Sequence, residues 1–240
     1  MSEANLIFNG IDSNSFGFIP YDEQSLYMPE RDIAFTEVSG RNGDVATDNN
    51  RLKSVPFKLS GDIFADNGQT IEQAKTALSN AYLADGNYHQ LSWSGEPEYV
   101  YNALFYAQHE VKRSTEFFAA LDLNFTVYPY KFLKSGLNAV ELKQGQKLVN
   151  LGKVESEPLI TITGVGTCSL SIGSSNLSLK NVDGGIVIDT MNQTCTSLDH
   201  KRTQFDKMYS DFPKIPKGES MVSITNGFTV SVVPRWAVIV

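Results

Sequence analysis

Residues 148–166, LVNLGKVESEPLITITGVG, end one run of strand-like sequence and begin another. The stretch leaves an apolar pair at Leu148–Val149, crosses a polar link marked by Gly152 and Pro158, and resumes with the alternating residues 159–163. Such alternation is typical of a strand with one buried face. A chain that restarts in this way predicts a second, all-β domain of roughly 100 residues.

Length and charge both support a boundary near this stretch. The chain of 240 residues is long enough for two domains of about 100–150 residues each. Residues 1–135 carry 10 basic and 18 acidic side chains (net −8), and residues 136–240 carry 10 and 9 (net +1), which together give the overall charge of −7. The sequence therefore predicts two domains, 1–135 and 136–240. The net negative charge argues against nucleic-acid binding through clustered Lys and Arg.

The first domain is predicted to be mainly β with one helix. Residues 6–20 contain Asn9-Gly10, a pair that favours a hairpin turn. Residues 70–86 have apolar side chains at helical spacing, with a capping box at Thr70 and Gln73 and a predicted end at Gly86. Residues 117–127 alternate strictly between apolar and other side chains, which predicts a strand that ends at Tyr128-Pro129-Tyr130.

A polar break near residue 40 predicts a projecting segment. Residues 28–39 are a strand candidate, and GRNGD at 40–44 then interrupts the pattern with two glycines and three polar residues. The break predicts either an exposed loop or a long hairpin arm. Alternation resumes over residues 52–64, where Pro56 lacks an N–H and therefore favours the edge of a sheet.

The second domain is predicted to be a β-sandwich. Several short strand candidates follow one another with turn residues between them, and a longer polar segment at 190–216 is expected to cross between sheets. The strand candidates are CSLSI (168–172), NLSLK (176–180), GIVID (185–189), SMVSIT (220–225) and GFTVSVV (227–233). Cys168 and Cys195 are predicted to be buried free thiols, a disulfide being the alternative.

Motifs for catalysis, phosphate binding and metal binding are missing from the sequence. It contains no phosphate-binding loop, and His89, His109 and His200 lack the spacing of zinc ligands. Carboxylate pairs for glycosidic chemistry stay open because two acids need only converge in space; the candidates are Glu96 with Glu98, Glu155 with Glu157, and Asp183 with Asp189. The start of the chain lacks a secretory signal, and no run of about 18 apolar residues occurs. We therefore expect a soluble protein made in the cytosol, without enzymatic activity, metal or cofactor.

In their order and spacing, these features resemble the distal tail proteins (the Dit family) of bacteriophages with long, non-contractile tails, chiefly those that infect Gram-positive hosts. The likeness extends over nearly the whole chain. Its most specific marks are Pro29, Arg31, Asp32, Gly40, Arg41 and Gly43; Tyr128-Pro129-Tyr130; Asn150, Gly152 and Pro158; and Phe212, Pro213 and Gly218.

The resemblance implies a structural protein of the virion. Proteins of this family form a ring, expected here to be a hexamer, at the tip of the tail, after assembly in the host cytoplasm. The ring joins the tail tube protein to the tail-associated fibre or spike protein, and in many phages it also holds receptor-binding proteins. DNA passes through it without specific binding, and it does not insert into membranes. The implied fold is a β-barrel-like or split-sandwich domain with one helix and a projecting arm, followed by a galectin-like β-sandwich.

Five residues around the predicted arm are candidates for the contact between subunits: Arg31, Asp32, Arg41, Asn42 and Asp44. Guanidinium groups make directional, bidentate bonds to carboxylates, which suits them to interfaces. The alternative is that these side chains are solvated turn residues. The acidic first domain would also suit a ring that lets DNA pass, because fixed negative charge repels phosphate.

A carbohydrate-binding module for host glycans is the alternative function, and a cell-wall hydrolase is a third. Sugar-binding galectins use a His-Asn-Arg cluster and a Trp that stacks on galactose. Here His200-Lys201-Arg202 lies outside that pattern, and Trp236 has no Glu after it. We expect Trp236 to pack in a core or an interface, and the second domain to contact another tail protein.

Overall fold

The structure, a computed structural model, describes residues 4–65 and 68–240. The fold is mainly β with one α-helix, as predicted. The chain forms two compact units. One runs up to Lys131 and takes in Ile239–Val240, and the other is Phe132–Val238.

The first unit is built on one curled, antiparallel sheet. The elements are β1 (Leu6–Phe8), β2 (Ile11–Asp12), β3 (Phe18–Pro20), β4 (Arg31–Thr36), β5 (Val45–Leu52), β6 (Val55–Phe64), α1 (Ile71–Tyr82), β7 (His89–Trp93), β8 (Tyr99–Leu104), β9 (Val111–Arg113), β10 (Phe118–Leu133) and β18 (Ala237–Ile239). The order of strands in the sheet is β2-β1-β7-β8-β10-β6-β3, and β9 and β18 also pair with β10. β1 and β2 form the predicted hairpin, whose turn residues Asn9 and Gly10 have φ of 51° and 75°.

The core of this unit lies on one face of the sheet and is rich in aromatic side chains. The Phe8 ring lies 5.2 Å from that of Tyr82 on α1 and 5.3 Å from that of Phe125 on β10. Phe105 lies 4.9 Å from Phe125. Centroid distances in this range are those of favourable aromatic packing, so α1 is held to the sheet through these rings.

The predicted helix is confirmed at its beginning. The Thr70 hydroxyl accepts a hydrogen bond from the Gln73 N–H at 3.4 Å, and the Gln73 side chain accepts one from the Thr70 N–H at 2.9 Å. The helix ends at Tyr82, with Leu83 as its C-cap, and so stops before the predicted stop signal at Gly86. The Asp85 carboxylate accepts a hydrogen bond from the Asn87 N–H at 2.9 Å. This local bond competes with helical pairing and begins the turn before the glycine.

The predicted alternation of buried and exposed side chains is confirmed in β10, but the predicted end of this strand was wrong. Alternate side chains from Ala119 to Val127 are buried, whereas Phe117 at the start of the pattern is exposed. The strand continues through Tyr128-Pro129-Tyr130 to Leu133. A proline removes one donor from a ladder but keeps its carbonyl, and here the Pro129 carbonyl accepts a hydrogen bond from the Val240 N–H at 3.1 Å. Pro56 lies on a part of β6 beyond the β3 pairing, which covers only Gly61–Ile63.

The strands of the second unit are β11 (Val140–Leu142), β12 (Lys147–Asn150), β13 (Leu159–Ile172), β14 (Ser175–Asp189), β15 (Thr194–Thr196), β16 (Gly218–Ile224) and β17 (Thr229–Val233). They form a sheet in the order β11-β17-β13-β14-β15, and β16 pairs with both β12 and β13. Residues 190–216 contain β15 and a short 3-10 helix at Phe205–Lys207. Cys168 and Cys195 are buried free thiols, and Trp236 is buried in the core.

Strands that the sequence indicated separately are continuous in the structure. LITIT and CSLSI are two halves of β13, and NLSLK and GIVID are two halves of β14, so the predicted turn between the latter pair was wrong. The first half of β13 pairs with β17 and the second half with β16. Between the halves, Gly166 pairs with Val182 and Cys168 pairs with Leu179, so β14 has one extra residue there, and Asn181 has φ of 53°. The extra residue forms a bulge within a long hairpin instead of a turn.

Candidate assembly surface

β4 and β5 form a two-stranded sheet of their own, which we call the arm (residues 31–52). Thr36 pairs with Val45 and Ile33 with Asp48. Arg31 pairs with Leu52, so β5 has two extra residues opposite the step from Ile33 to Arg31. Asn50 lies in this irregular part of β5 and has φ of 55°. Every arm residue is exposed or half-buried. A two-stranded hairpin is marginally stable by itself in water, so the arm needs support from its own side chains or from a partner.

Cross-strand ion pairs support the base of the arm. Arg31 Nη1 lies 2.6 Å from Asp48 Oδ2, Arg51 Nε lies 2.6 Å from Asp32 Oδ2, and Lys53 Nζ lies 2.9 Å from Glu30 Oε1. The hydrogen bond from Arg51 holds the pKa of Asp32 below its ordinary value. Exposed ion pairs contribute little individually to stability, but these three together favour one pairing of the two strands at the base of the arm.

The structure divides the five predicted interface residues into two groups. Arg31 and Asp32 lie in the ion pairs at the base, while Arg41, Asn42 and Asp44 lie in the exposed turn at the tip. Among the described residues, no carboxylate lies within ion-pair distance of the Arg41 guanidinium. The tip residues are therefore available for a contact, whereas the base residues are already satisfied within the chain.

One face of the arm is apolar, which the sequence reasoning missed. Ile33 and Phe35 of β4 point to the same side as Ala46 of β5, because alternate residues and cross-strand partners share a face. We call these three residues the apolar face of the arm. The Phe35 side chain is 68% exposed. The alternation of Ile33 and Phe35 with polar neighbours is visible in the sequence, but by itself it reads as an ordinary strand facing a core.

Exposed apolar side chains also occur in the segment that leads into the arm. Leu26, Tyr27 and Met28 are all exposed, Met28 to 88%. Large exposed apolar patches are uncommon on monomeric proteins and mark interaction surfaces. Together with the apolar face of the arm, they make residues 26–46 the strongest candidate interaction surface of the first unit.

The residues considered for sugar binding do not form a galectin-type site. Trp236 is only 5% exposed and belongs to the core of the second unit, so its ring cannot stack on a sugar. His200 lies in an exposed turn with φ of 57°, where its Nδ1 is 3.3 Å from Thr196 Oγ1. Trp236 thus has the core position that the sequence predicted.

The candidate carboxylate pairs each contain one member that is bound to a cation. Glu96 Oε2 lies 2.6 Å from Lys131 Nζ, Glu157 Oε1 lies 3.0 Å from Lys214 Nζ, and Asp189 Oδ1 lies 2.6 Å from Arg235 Nη1. Within residues 4–65 and 68–240, no three His, Cys, Asp or Glu side chains are grouped so that they could hold a metal ion. The same ranges contain no helix long and apolar enough to cross a membrane.

The fold is mainly β and consists of a curled half-barrel sheet with a projecting arm and a set of sandwich-like sheets. A similar fold is seen in the crystal structure of the Dit protein of phage SPP1, which is described as a paradigm of the hub adsorption apparatus in phages that infect Gram-positive bacteria. The TM-score is 0.71 at 15% sequence identity, over 95% of this chain and 97% of that one. No family model matches the sequence, and neither does any curated protein.

Proposed function

We propose that this protein is a distal tail protein, the hub at the tail tip of a phage with a long, non-contractile tail. The observation that carries the proposal is the exposed apolar face of the arm, which projects from a fold similar to that of a phage tail hub. A soluble chain that leaves Phe35 and Met28 in water has a reason to associate. In the proposed hub, the association is between copies of the same chain.

The proposed ring requires the arm to bind a different surface of the next copy. Such a contact is heterologous. Heterologous contacts produce closed rings when the rotation between copies closes. The expected assembly is a hexamer in which the part formed by residues 1–135 closes the ring and residues 136–240 form a galectin-like sandwich.

The hub function implies several partners. The ring joins the tail tube protein on one side to the tail-associated fibre or spike protein on the other, and it holds receptor-binding proteins where the phage has them. Its place is the tail tip of the virion, after assembly in the host cytoplasm. DNA passes through without specific binding, which is consistent with the net charge of −8 (10 basic and 18 acidic side chains) over residues 1–135.

Mass measurement in solution tests this function. We expect light scattering and electron micrographs of the purified protein to give a ring of about six subunits. Phe35→Ser should shift the mass toward the monomer, because Phe35 is the most exposed of the large apolar side chains of the arm. Ala34→Ser lies on the opposite face of the same strand and is the matched control.

A strictly monomeric wild-type protein at high concentration and near-physiological salt would contradict the proposal. A ring that forms equally well with Phe35→Ser would keep the hub but remove the arm from its contacts. Circular dichroism of each variant checks that the strands remain folded.

A further inference from the structure

The second unit presents an uncharged face of hydroxyl and amide groups on β16, the second half of β13 and the first half of β14. The register of these strands places Ser223 beside Ser171, and Ser171 beside Asn176. In the next row, Ser169 lies beside Ser178. The residues between them along each strand are buried, so this face points away from the core.

An exposed aromatic ring lies at the end of the second row. Met208 forms a β-bridge with Leu179, and the Tyr209 N–H donates to the Ser178 carbonyl at 2.8 Å, so Tyr209 follows Ser178 across the sheet. Met208 is half-buried against the core, which directs the adjacent Tyr209 to the outer face. Tyr209 is 57% exposed. We call the following residues the hydroxyl face: Ser169, Ser171, Asn176, Ser178, Tyr209 and Ser223.

We propose that the hydroxyl face binds a neutral polysaccharide built of hexose or N-acetylhexosamine units. This activity goes beyond the proposed hub function, and it uses none of the residues considered for a galectin-type site. It does not require ring formation, because every residue of the face belongs to one chain.

The polar groups of the face are available to a ligand. The Ser171 hydroxyl donates to Asn176 Oδ1 at 2.7 Å, which holds the amide in place and leaves its Nδ2 without a partner. Among the residues that the structure describes, the hydroxyls of Ser169, Ser178 and Ser223 have no hydrogen-bond partner either. A serine hydroxyl both donates and accepts, and an amide nitrogen donates twice. Since sugar hydroxyls also donate and accept, the face is complementary to a polyol.

Tyr209 supplies the apolar part of the site. The faces of a sugar ring carry C–H groups that pack on an aromatic ring, while the hydroxyls at its edge reach polar neighbours. Lys180 Nζ lies 4.3 Å from the centroid of the Tyr209 ring, a cation–π contact that helps to fix the ring. Because Tyr209 is next to Ser178, a sugar stacked on the ring lies within reach of the hydroxyls.

The distribution of charge and apolar area favours a neutral glycan over other partners. The hydroxyl face carries no charge, and at its far edge Lys147 and Glu219 neutralise each other at 3.2 Å. An anionic polymer would need clustered cations. A protein interface would need an apolar centre, whereas the exposed Met221 lies at the margin, opposite Lys147.

The width of the face predicts a preference for chains over single sugars. Four rows of backbone, from β16 to the segment at Tyr209, span about 14 Å, because neighbouring strands lie about 4.8 Å apart. This width exceeds that of one monosaccharide. A hexasaccharide should therefore bind more tightly than the corresponding disaccharide.

Titration calorimetry of the whole chain with defined glycans tests the site. The probes are cellohexaose, maltohexaose and chitohexaose, with polyglycerol phosphate as the anionic comparison. We expect at least one neutral hexasaccharide to bind. Tyr209→Ala should weaken that binding by at least about tenfold, and Tyr209→Trp should retain or strengthen it, because its ring is larger. Tyr106→Ala removes an exposed tyrosine of the first unit and is the control.

Substitutions on the strands test the polar part of the face. Asn176→Ala removes the free amide donor and should weaken binding by about fivefold. Ser178→Glu places a charge at the centre of the face and should abolish binding. Ser174→Glu adds the same charge in the exposed turn between β13 and β14 and is the matched control. Circular dichroism of each variant checks that the second unit remains folded.

Four results would overturn the inference. The first is a wild-type protein that binds none of the three neutral hexasaccharides. The second is binding that survives both Tyr209→Ala and Ser178→Glu, which would place the site elsewhere. The third is binding of polyglycerol phosphate alone, lost in Lys180→Gln and kept in Tyr209→Ala, which would assign the surface to an anionic polymer. The fourth is a tail-associated protein that binds the wild type but not Ser178→Glu while no glycan binds, which would make the face a protein interface.

Discussion

The Arg235 guanidinium forms a bidentate ion pair with the Asp189 carboxylate in the second unit: Nη1 lies 2.6 Å from Oδ1 and Nη2 lies 3.0 Å from Oδ2. Arg235 has φ of 54°, a conformation that is uncommon outside glycine. Both side chains are largely buried, at 17% and 12% exposure. The pair joins the end of β14 to the segment after β17, which are far apart in sequence.

Replacing Arg235 with Met should destabilise the second unit by about 3 kcal/mol, because it leaves the buried Asp189 carboxylate without its cation. Slower-exchanging amides of β13 and β14 should lose protection in hydrogen exchange, while those of β10 should not. Lys214→Met, which breaks the more exposed pair with Glu157, is the control and should cost less than about 1 kcal/mol. Equal effects of the two substitutions would contradict a special role for the buried pair.

The same ion pair predicts sensitivity to acid. Burial raises the pKa of Asp189, but hydrogen bonds and the charge of Arg235, with help from Asn192, outweigh burial and hold the pKa below its ordinary value. A carboxyl group with a depressed folded-state pKa contributes stability above the unfolded value of about 3.9. That contribution is lost as the pH falls through the folded pKa. The acid dependence of unfolding should therefore be weaker in Arg235→Met than in the wild type.

His109 predicts a different pH dependence in the first unit. The His109 ring stacks on Phe105 at 3.9 Å between centroids, and its Nδ1 accepts a hydrogen bond from the Asn124 N–H at 3.1 Å. Because Nδ1 accepts, it carries no proton, and the imidazole in the folded protein is neutral. Burial lowers the pKa of His109 below 6.5. The unfolded chain therefore binds more protons below pH 6.5, and stability should fall from there down to the folded pKa.

His109→Gln isolates that effect, because a glutamine oxygen can accept the same N–H and does not titrate. Urea unfolding between pH 7.5 and pH 5, followed by the fluorescence of Trp93, should show a smaller loss of free energy in the variant. Identical pH profiles would show that His109 does not carry this dependence. His200→Gln, in an exposed turn of the second unit, is the control substitution.

Features that depend on nearby residues were predictable from the sequence. The capping box needs only Thr70 and Gln73, and the burial of β10 follows from the two-residue period between Ala119 and Val127. The Asn9-Gly10 turn is equally local. Each of these features is determined by a few consecutive residues, for which the conformational propensity of the residues and their hydrophobic pattern favour the same structure.

Features that depend on distant pairing were not predictable. The segment from Asn181 to Gly185 looks like a turn, and only its pairing with β13 along the whole hairpin makes it part of one long strand. Pro129 looks like the end of a strand until Val240 supplies a donor to its carbonyl. The apolar face of the arm is visible as alternation at Ile33 and Phe35, but the sequence does not say that the rest of the unit leaves it uncovered.

Reversing the charge of Arg41 should impair ring assembly while leaving the monomer folded. Arg41 lies in the exposed tip turn, and charge-assisted hydrogen bonds contribute about 1.5–3 kcal/mol. Loss of one such bond per contact should raise the assembly midpoint at least about tenfold. Light scattering across a concentration series measures the midpoint, with Lys201→Glu, an exposed residue of the second unit, as the control. Normal assembly of Arg41→Glu would remove this residue from the interface.

The link at residues 150–158 should depend on Asn150, which is almost fully buried. Its Nδ2 donates to the carbonyls of Val154 at 3.0 Å, Pro216 at 3.2 Å and Ile215 at 3.3 Å, and its Oδ1 accepts from the Gly152 N–H at 2.8 Å. A single amide thus turns the chain after β12 and fixes it to the segment before β16. An unsatisfied buried polar group costs about 1–3 kcal/mol, so Asn150→Ala should destabilise the second unit by about 3 kcal/mol.

Asn150→Asp separates the hydrogen bonds from the shape of the side chain. Aspartate keeps the acceptor for Gly152 but turns an oxygen toward the carbonyls that Nδ2 now satisfies, so it should destabilise at least as much as alanine at pH 7. The difference in unfolding free energy between Asn150→Asp and the wild type should become smaller as the pH falls, because the carboxyl group then gains a proton that it can donate. Asn176→Ala, an exposed position on β14, should change the unfolding free energy by less than about 0.5 kcal/mol. If Asn150→Asp were as stable as the wild type, the donor side of Asn150 would not be what orders the link between β12 and β13.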